Sequence, residues 1–212
     1  MSDTFSHFDL NGMPKPDVYK LLASVIMPRP IAWVVSRDAA GSLNAAPFSF
    51  FNILSADPPL IAISFSAASD REGKDTFANI QQHPDFVVNL VPEELALQMN
   101  ITATNAPRGT DEIRLAGLDL TPSATIEVPR IAASPVGLEC RLFQTIEPGG
   151  SSTIVLARVH YAHVRTSAFE NLERLYINPH ELRLIGRMHG AGGYCRTTDI
   201  FTIDRKSWPL DE

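Results

Sequence analysis

Residues 44–52, with the sequence NAAPFSFFN, constrain the fold more than any other segment of the chain. They lie between the apolar runs 30–35 (PIAWVV) and 59–65 (PLIAISF), whose length and β-branched content are typical of buried strands. A proline within a strand removes a ladder donor and is confined to an edge or a bulge. Pro47 therefore predicts an irregular edge strand on which backbone N–H and C=O groups can line a flat, amphipathic ring.

A possible phosphate site follows shortly after this edge. Lys74, Asp75 and Thr76 open a predicted helix, and a helix start with Lys and Thr can bind phosphate. Asp75 fits better as a helix cap or as a partner of Lys74. A ring site and a phosphate site in one small β domain predict flavin mononucleotide, FMN. The alternative is that the phenylalanines simply fill a barrel and that the helix start binds nothing.

Composition excludes several classes of protein. At 212 residues the chain is expected to form a single domain, residues 1–212. The net charge of −6 argues against a non-specific nucleic-acid binder. No apolar run is long enough to span a bilayer, and the N-terminus shows no secretory signal, so a cytoplasmic location is expected. Two cysteines can form neither a disulfide framework nor a zinc site by themselves.

The remaining pattern is dominated by strands joined by turns. Residues 136–146 and 153–164 form the clearest predicted hairpin, whereas 103–135 are expected to be an extended loop. Few and short helices point to an antiparallel barrel with accessory helices. His160 and His163 are three apart on a strand and point to opposite faces, so we predict no metal site.

The segment 189–195, HGAGGYC, is glycine-rich but lacks the strand–loop–helix order of a dinucleotide-binding loop. Its glycines are explained by a turn; the alternative is a flap that places His189 and Tyr194 beside a bound cofactor. Because no side chain accepts a hydride, redox activity in this chain would require such a cofactor.

Taken together, residues 27–65 and 74–91 strongly resemble the flavin reductase-like, FMN-binding split-barrel proteins, which include the flavoredoxins. Residues 131–142 and 187–201 resemble the barrel hairpin and C-terminal segment of the same family. The likeness covers about residues 23–205. It implies a mainly β fold, an antiparallel six-stranded split β-barrel, and a homodimer with FMN near the subunit interface.

The resemblance also implies roles for individual residues. The flavin ring would lie along Ala46, Pro47, Phe48, Ser49 and Asn52. The phosphate would lie near Lys74 and Thr76, with Asp75 between them. Arg29 and Trp33 would flank this region.

The leading hypothesis is a reductase that transfers a hydride from NADH or NADPH to flavin N5. His189 and Tyr194 are the candidates for shaping the face on which the nicotinamide stacks, and a monooxygenase or another redox protein is a possible partner. One alternative is a flavoredoxin-like FMN electron carrier that does not oxidise NAD(P)H itself. Another is a non-enzymatic barrel that binds a different planar ligand or a protein.

Overall fold

The computed structural model describes residues 4–66, 75–104, 106–107, 110–206 and 208. Strands dominate these residues, in agreement with the predicted mainly β class. In chain order they are β1 Ala32–Arg37, β2 Leu43–Phe48, β3 Phe51–Ala56, β4 Pro59–Ser66, β5 Asp85–Leu90, β6 Leu120–Thr121, β7 Arg130–Ile131, β8 Val136–Ile146, β9 Ser152–Val164, β10 Phe169–Asn171, β11 Tyr176–Ile177, β12 Ile185–Arg187 and β13 Tyr194–Arg196.

The helices are few and short, as expected. They are α1 Lys15–Val25, α2 Asp75–Gln82, α3 Ala96–Ile101, α4 Glu112–Leu115 and α5 Pro179–Leu182, with 3-10 turns at Leu10–Gly12, Glu93–Leu95 and Thr166–Ala168. None of the described helices is long and apolar enough to cross a membrane.

Seven antiparallel strands form the main sheet, in the order β2-β1-β5-β8-β9-β4-β3. The expectation of six strands was wrong, because residues 44–52 do not form one edge. A corner at Ser49 and Phe50 divides them into β2 and β3, and β3 then pairs with β4. Within the described residues β2 and β3 are the two edges and do not pair with each other, so the curled sheet stays open between them.

The predicted hairpin is confirmed, since β8 and β9 pair along almost their whole length. Residues 103–135 are less extended than expected. Within them lie α4, which starts with Asp111 accepting a hydrogen bond from the Arg114 backbone N–H, and the paired strands β6 and β7. The isolated apolar residues of this stretch, among them Leu118 and Leu120, pack against the core and hold it in place.

Strand β1 contributes side chains to two hydrophobic clusters. Ile31, Trp33 and Val35 pack on one side of the sheet with α3, α4 and β7, whereas Ala32 and Val34 pack on the other side with β4, β8 and β9. Both faces of the strand are therefore buried, which explains why its sequence is continuously apolar. This packing fixes the backbone of β1 and, through it, the edge strand β2.

Candidate functional site

A cleft of about 260 Å³ opens where edge strand β2, the start of α2 and the loop between α3 and α4 meet. It combines aromatic, hydroxyl and carboxyl side chains. Its lining residues are Tyr19, Asn44, Ala46, Pro47, Phe48, Ser49, Phe50, Ser64, Ser66, Asp75, Thr76, Thr102, Ala103, Thr104, Ala106 and Glu112.

Strand β2 forms one wall of the cleft. Among the described strands it pairs only with β1, so the backbone groups along its other side are not used in the sheet. Pro47 lies opposite Trp33 in this pairing. Phe48 packs edge-on against Phe65, with ring centroids 4.5 Å apart, which anchors the wall in the core. The wall is thus rigid, partly apolar and bordered by backbone donors and acceptors.

The mouth of the cleft is aromatic. Phe50 is partly exposed at the corner between β2 and β3, and its ring centroid lies 5.9 Å from that of Tyr19 on α1. The Arg29 guanidinium lies 6.0 Å from the Phe50 ring centroid. An aromatic face beside an open cleft can pack on a planar ligand.

A hydrogen-bond chain crosses the floor of the cleft from α2 through β2 to α4. The Thr76 hydroxyl donates to Asn44 Oδ1 at 2.7 Å, and Asn44 Nδ2 donates to Glu112 Oε2 at 3.1 Å. Burial raises the pKa of the Glu112 carboxyl, and the negative charges of Asp75 and Asp111 raise it further. The site therefore holds a buried acid whose charged form is disfavoured.

A second cavity of about 450 Å³ adjoins the cleft and shares Asn44 and Asp75 with it. Its other walls come from the β1–β2 turn, α2 and the segment around α4. The two cavities therefore adjoin at β2 and the start of α2. Adjoining cavities of this kind suit an elongated ligand with a flat end and a polar end.

Six of the predicted site residues line this one cleft, namely Ala46, Pro47, Phe48, Ser49, Asp75 and Thr76. Lys74 lies outside the described residues. Trp33 is fully buried in the core, where its indole N–H donates to the Thr102 hydroxyl at 2.9 Å, so it supports a lining residue from behind. Asn52 lies on β3 away from the lining, and its side chain accepts from the Ile53 backbone N–H.

The C-terminal candidates, His189 and Tyr194, do not line the cleft. Arg187 donates to the carbonyls of Gly190 and Gly193 and packs on the Tyr194 ring, which fixes the turn that carries His189. Arg29 connects this turn to the rest of the site. Its guanidinium donates to the carbonyls of Ala23, Ile26 and Met188, and so joins the end of α1 to the turn.

Sequence reasoning missed part of the lining. The missed lining residues come from segments with no motif of their own, namely Tyr19, Ser64, Ser66, Thr102, Ala103, Thr104, Ala106 and Glu112. Asn44 belongs to residues 44–52, but no sequence pattern marked it as a lining residue. The one local signal for Glu112 was the capping sequence at the start of α4, which explains a helix and not a site.

The groups that line the cleft fit a flavin better than a metal ion. Edge backbone groups and an apolar wall suit the ring, and the hydroxyls and helix start beyond them suit a ribityl phosphate. Among the described residues, no three His, Cys, Asp or Glu side chains are grouped as they would be to hold a metal.

Comparison with known proteins identifies the family. Residues 24–185 match the model of the flavin reductase like domain. A protein of Deinococcus radiodurans is 39% identical over 207 residues, which cover 96% of this chain and 91% of that protein.

Two similar crystal structures are each 33% identical to this chain. Component B of nitrilotriacetate monooxygenase from Bacillus cereus has a TM-score of 0.89 over 95% of this chain and 100% of that one. The 2-nitrobenzoate 2-nitroreductase of Pseudomonas fluorescens has a TM-score of 0.87 over 97% and 99%.

Proposed function

Since the chain belongs to the flavin reductase-like family, we propose that it binds FMN in this cleft and reduces it with NADH or NADPH. One observation carries the proposal. Ala46–Ser49, assigned to the ring, and Asp75 and Thr76, assigned to the phosphate end, line the same cleft although about 30 residues separate them.

In this proposal bound FMN supplies the hydride acceptor, its N5 atom. The chain itself contributes mainly position, because hydride transfer needs alignment of donor and acceptor and no obligatory general base. Pro47 and Phe48 form the rigid wall that excludes water from one side of the ring. Phe50 and Tyr19 at the mouth border the side from which the nicotinamide arrives, with the His189 turn held nearby by Arg29.

The phosphate end of the proposed site is formed by the first turn of α2. The dipole of a helix and the N–H groups of its first turn favour an anion. The resemblance adds Lys74 here, and FMN should therefore bind more tightly than riboflavin, which lacks the phosphate.

We further propose that the chain forms a homodimer. Val25 on α1 and Ile53 and Leu54 on β3 are 63%, 68% and 56% exposed, an apolar exposure that is typical of association surfaces. Light scattering at micromolar concentration would show a mass of two chains; a monomer would contradict the dimer.

The similarity to a monooxygenase component B supports a separate oxygenase as a possible recipient of the reduced flavin.

The proposed reaction is tested with purified protein, FMN and the two nicotinamide cofactors. FMN fluorescence should be quenched on titration, and NADH or NADPH should then be oxidised with FMN as acceptor. A folded sample that binds no FMN at saturating concentration would overturn the proposal. Protein that holds FMN but oxidises neither cofactor would instead be a flavoredoxin-like electron carrier.

A further inference from the structure

Glu112 is the acidic group of the cleft wall that the proposed reaction does not use. Glu112 is only 7% exposed, although it lines the cleft. Besides Asn44, its own backbone N–H donates to the carboxyl. A buried carboxylate with few donors carries a desolvation cost that protonation removes.

The hydrogen-bond chain that ends at Glu112 has a fixed direction. Asn44 points its NH₂ group at the carboxyl and its oxygen at Thr76, because the reverse orientation would set its oxygen against Glu112. The Thr76 hydroxyl has one proton, and that proton is donated to Asn44. Among the described residues, no hydroxyl donates to Glu112 through this chain.

We propose that Glu112 is a positioning residue that takes up a proton when a phosphate-bearing flavin enters the cleft. This inference rests on the proposed FMN binding and deepens it. One proton passes from solvent to a carboxyl oxygen of Glu112, and no electron moves. The protonated acid still accepts from Asn44 through its carbonyl oxygen, and its new hydroxyl becomes a donor in the cleft.

The charges around Glu112 explain why binding would drive this uptake. Asp75 at the start of α2 and Asp111 just before α4 both raise the pKa of Glu112, because both are acidic. A phosphate near the same helix start adds further negative charge. Neighbouring like charges disfavour one another's ionisation, and burial makes Glu112 the group on which this effect is strongest.

The sign of the pH dependence follows from linkage. If the pKa of Glu112 is higher in the complex than in the free protein, FMN affinity is greatest at low pH. Affinity then falls as the pH rises through the pKa of the bound form. Riboflavin adds no charge, so its affinity should depend much less on Glu112.

The test compares the dissociation constants of FMN for the wild-type protein and for Glu112→Gln between about pH 5.5 and about pH 7.5. Both proteins meet the same ligand, so titration of the phosphate of free FMN cancels in their ratio. That ratio, wild type over variant, should rise about three- to tenfold with pH for FMN and stay nearly flat for riboflavin. The matched control is Glu94→Gln, at an exposed glutamate outside the cleft, which should follow the wild type.

A second measurement needs no variant. Calorimetric titration of the wild-type protein in buffers of different ionisation enthalpy should show net proton uptake with FMN and none with riboflavin. A flat FMN ratio, or FMN binding without proton uptake, would overturn the inference and leave FMN binding intact. If neither protein binds FMN, the proposed function itself fails.

Discussion

The pKa values of two buried glutamates are shifted in opposite directions, and this contrast distinguishes the region around strand β8 from the cleft. Glu112 in the cleft is 7% exposed and Glu139 on β8 is fully buried. Burial disfavours the charged form of both. The pKa of Glu112 is nevertheless raised, whereas that of Glu139 is lowered to about 2.

The difference lies in the donors around each carboxyl. Glu139 accepts hydrogen bonds from His163 Nε2, from the Thr125 hydroxyl and from the backbone N–H groups of Ala124 and Thr125. These bonds more than offset the cost of burial. Glu139 thereby ties the segment before β7 to the β8–β9 hairpin. Glu112 has fewer donors and two acidic neighbours, so a bound ligand can still shift its pKa.

The largest expected effect comes from removing the charge at Glu139. Glu139→Gln should lower the free energy of unfolding by about 2–4 kcal/mol, because donors arranged for a carboxylate lose their charged acceptor. Urea unfolding followed by circular dichroism measures this value. A change within about 0.5 kcal/mol would mean that the carboxylate is not the anchor of this region.

Acid should weaken the same anchor. The folded pKa of Glu139, about 2, is below the unfolded value of 4.5, so its contribution is complete above about pH 5. It should be lost progressively as the pH falls through 4.5 towards about 2, at a cost of up to about 3 kcal/mol. Unfolding measured across this range should therefore be less pH-dependent in Glu139→Gln than in the wild type. Equal pH dependence in the two proteins would contradict the assignment.

A matched pair of hydroxyl deletions compares the two regions directly. Thr125→Val removes a donor to Glu139 and should cost about 1–2 kcal/mol of stability without changing FMN affinity. Thr76→Val removes the donor to Asn44 and should cost less stability, because Asn44 keeps its bond to Glu112. FMN affinity should however fall about three- to tenfold, because the variant loses a hydroxyl at the proposed phosphate end of the cleft. The reverse pattern would place the flavin near β8.

The smallest effect on stability is expected at Glu112. Glu112→Gln should leave the free energy of unfolding at pH 8 unchanged or raise it by up to about 1 kcal/mol, because the variant buries no charge. Thermal melting shows whether the variant is more or less stable than the wild type. A loss as large as that expected for Glu139→Gln would show that Glu112 is also a structural anchor.

The sequence was sufficient to predict the residues of the cleft wall, but it did not predict those of the cleft floor. Pro47 and the aromatic residues around it revealed an edge strand, because proline and strand patterns act over a few residues. The Thr76–Asn44–Glu112 chain joins residues 32 and 68 positions apart, and no local pattern predicts such contacts. Trp33 illustrates the same limit, since its apolar strand gave no sign of whether its ring lines the cleft or fills the core.

The central claim is that FMN binds between β2 and the start of α2, and hydrogen exchange with and without FMN tests it most directly. Bound FMN should slow amide exchange in residues 44–50 and 75–80, and should leave the β8–β9 hairpin around Glu139 unchanged. Protection confined to the hairpin or to the C-terminal turn, with none along β2, would contradict the account.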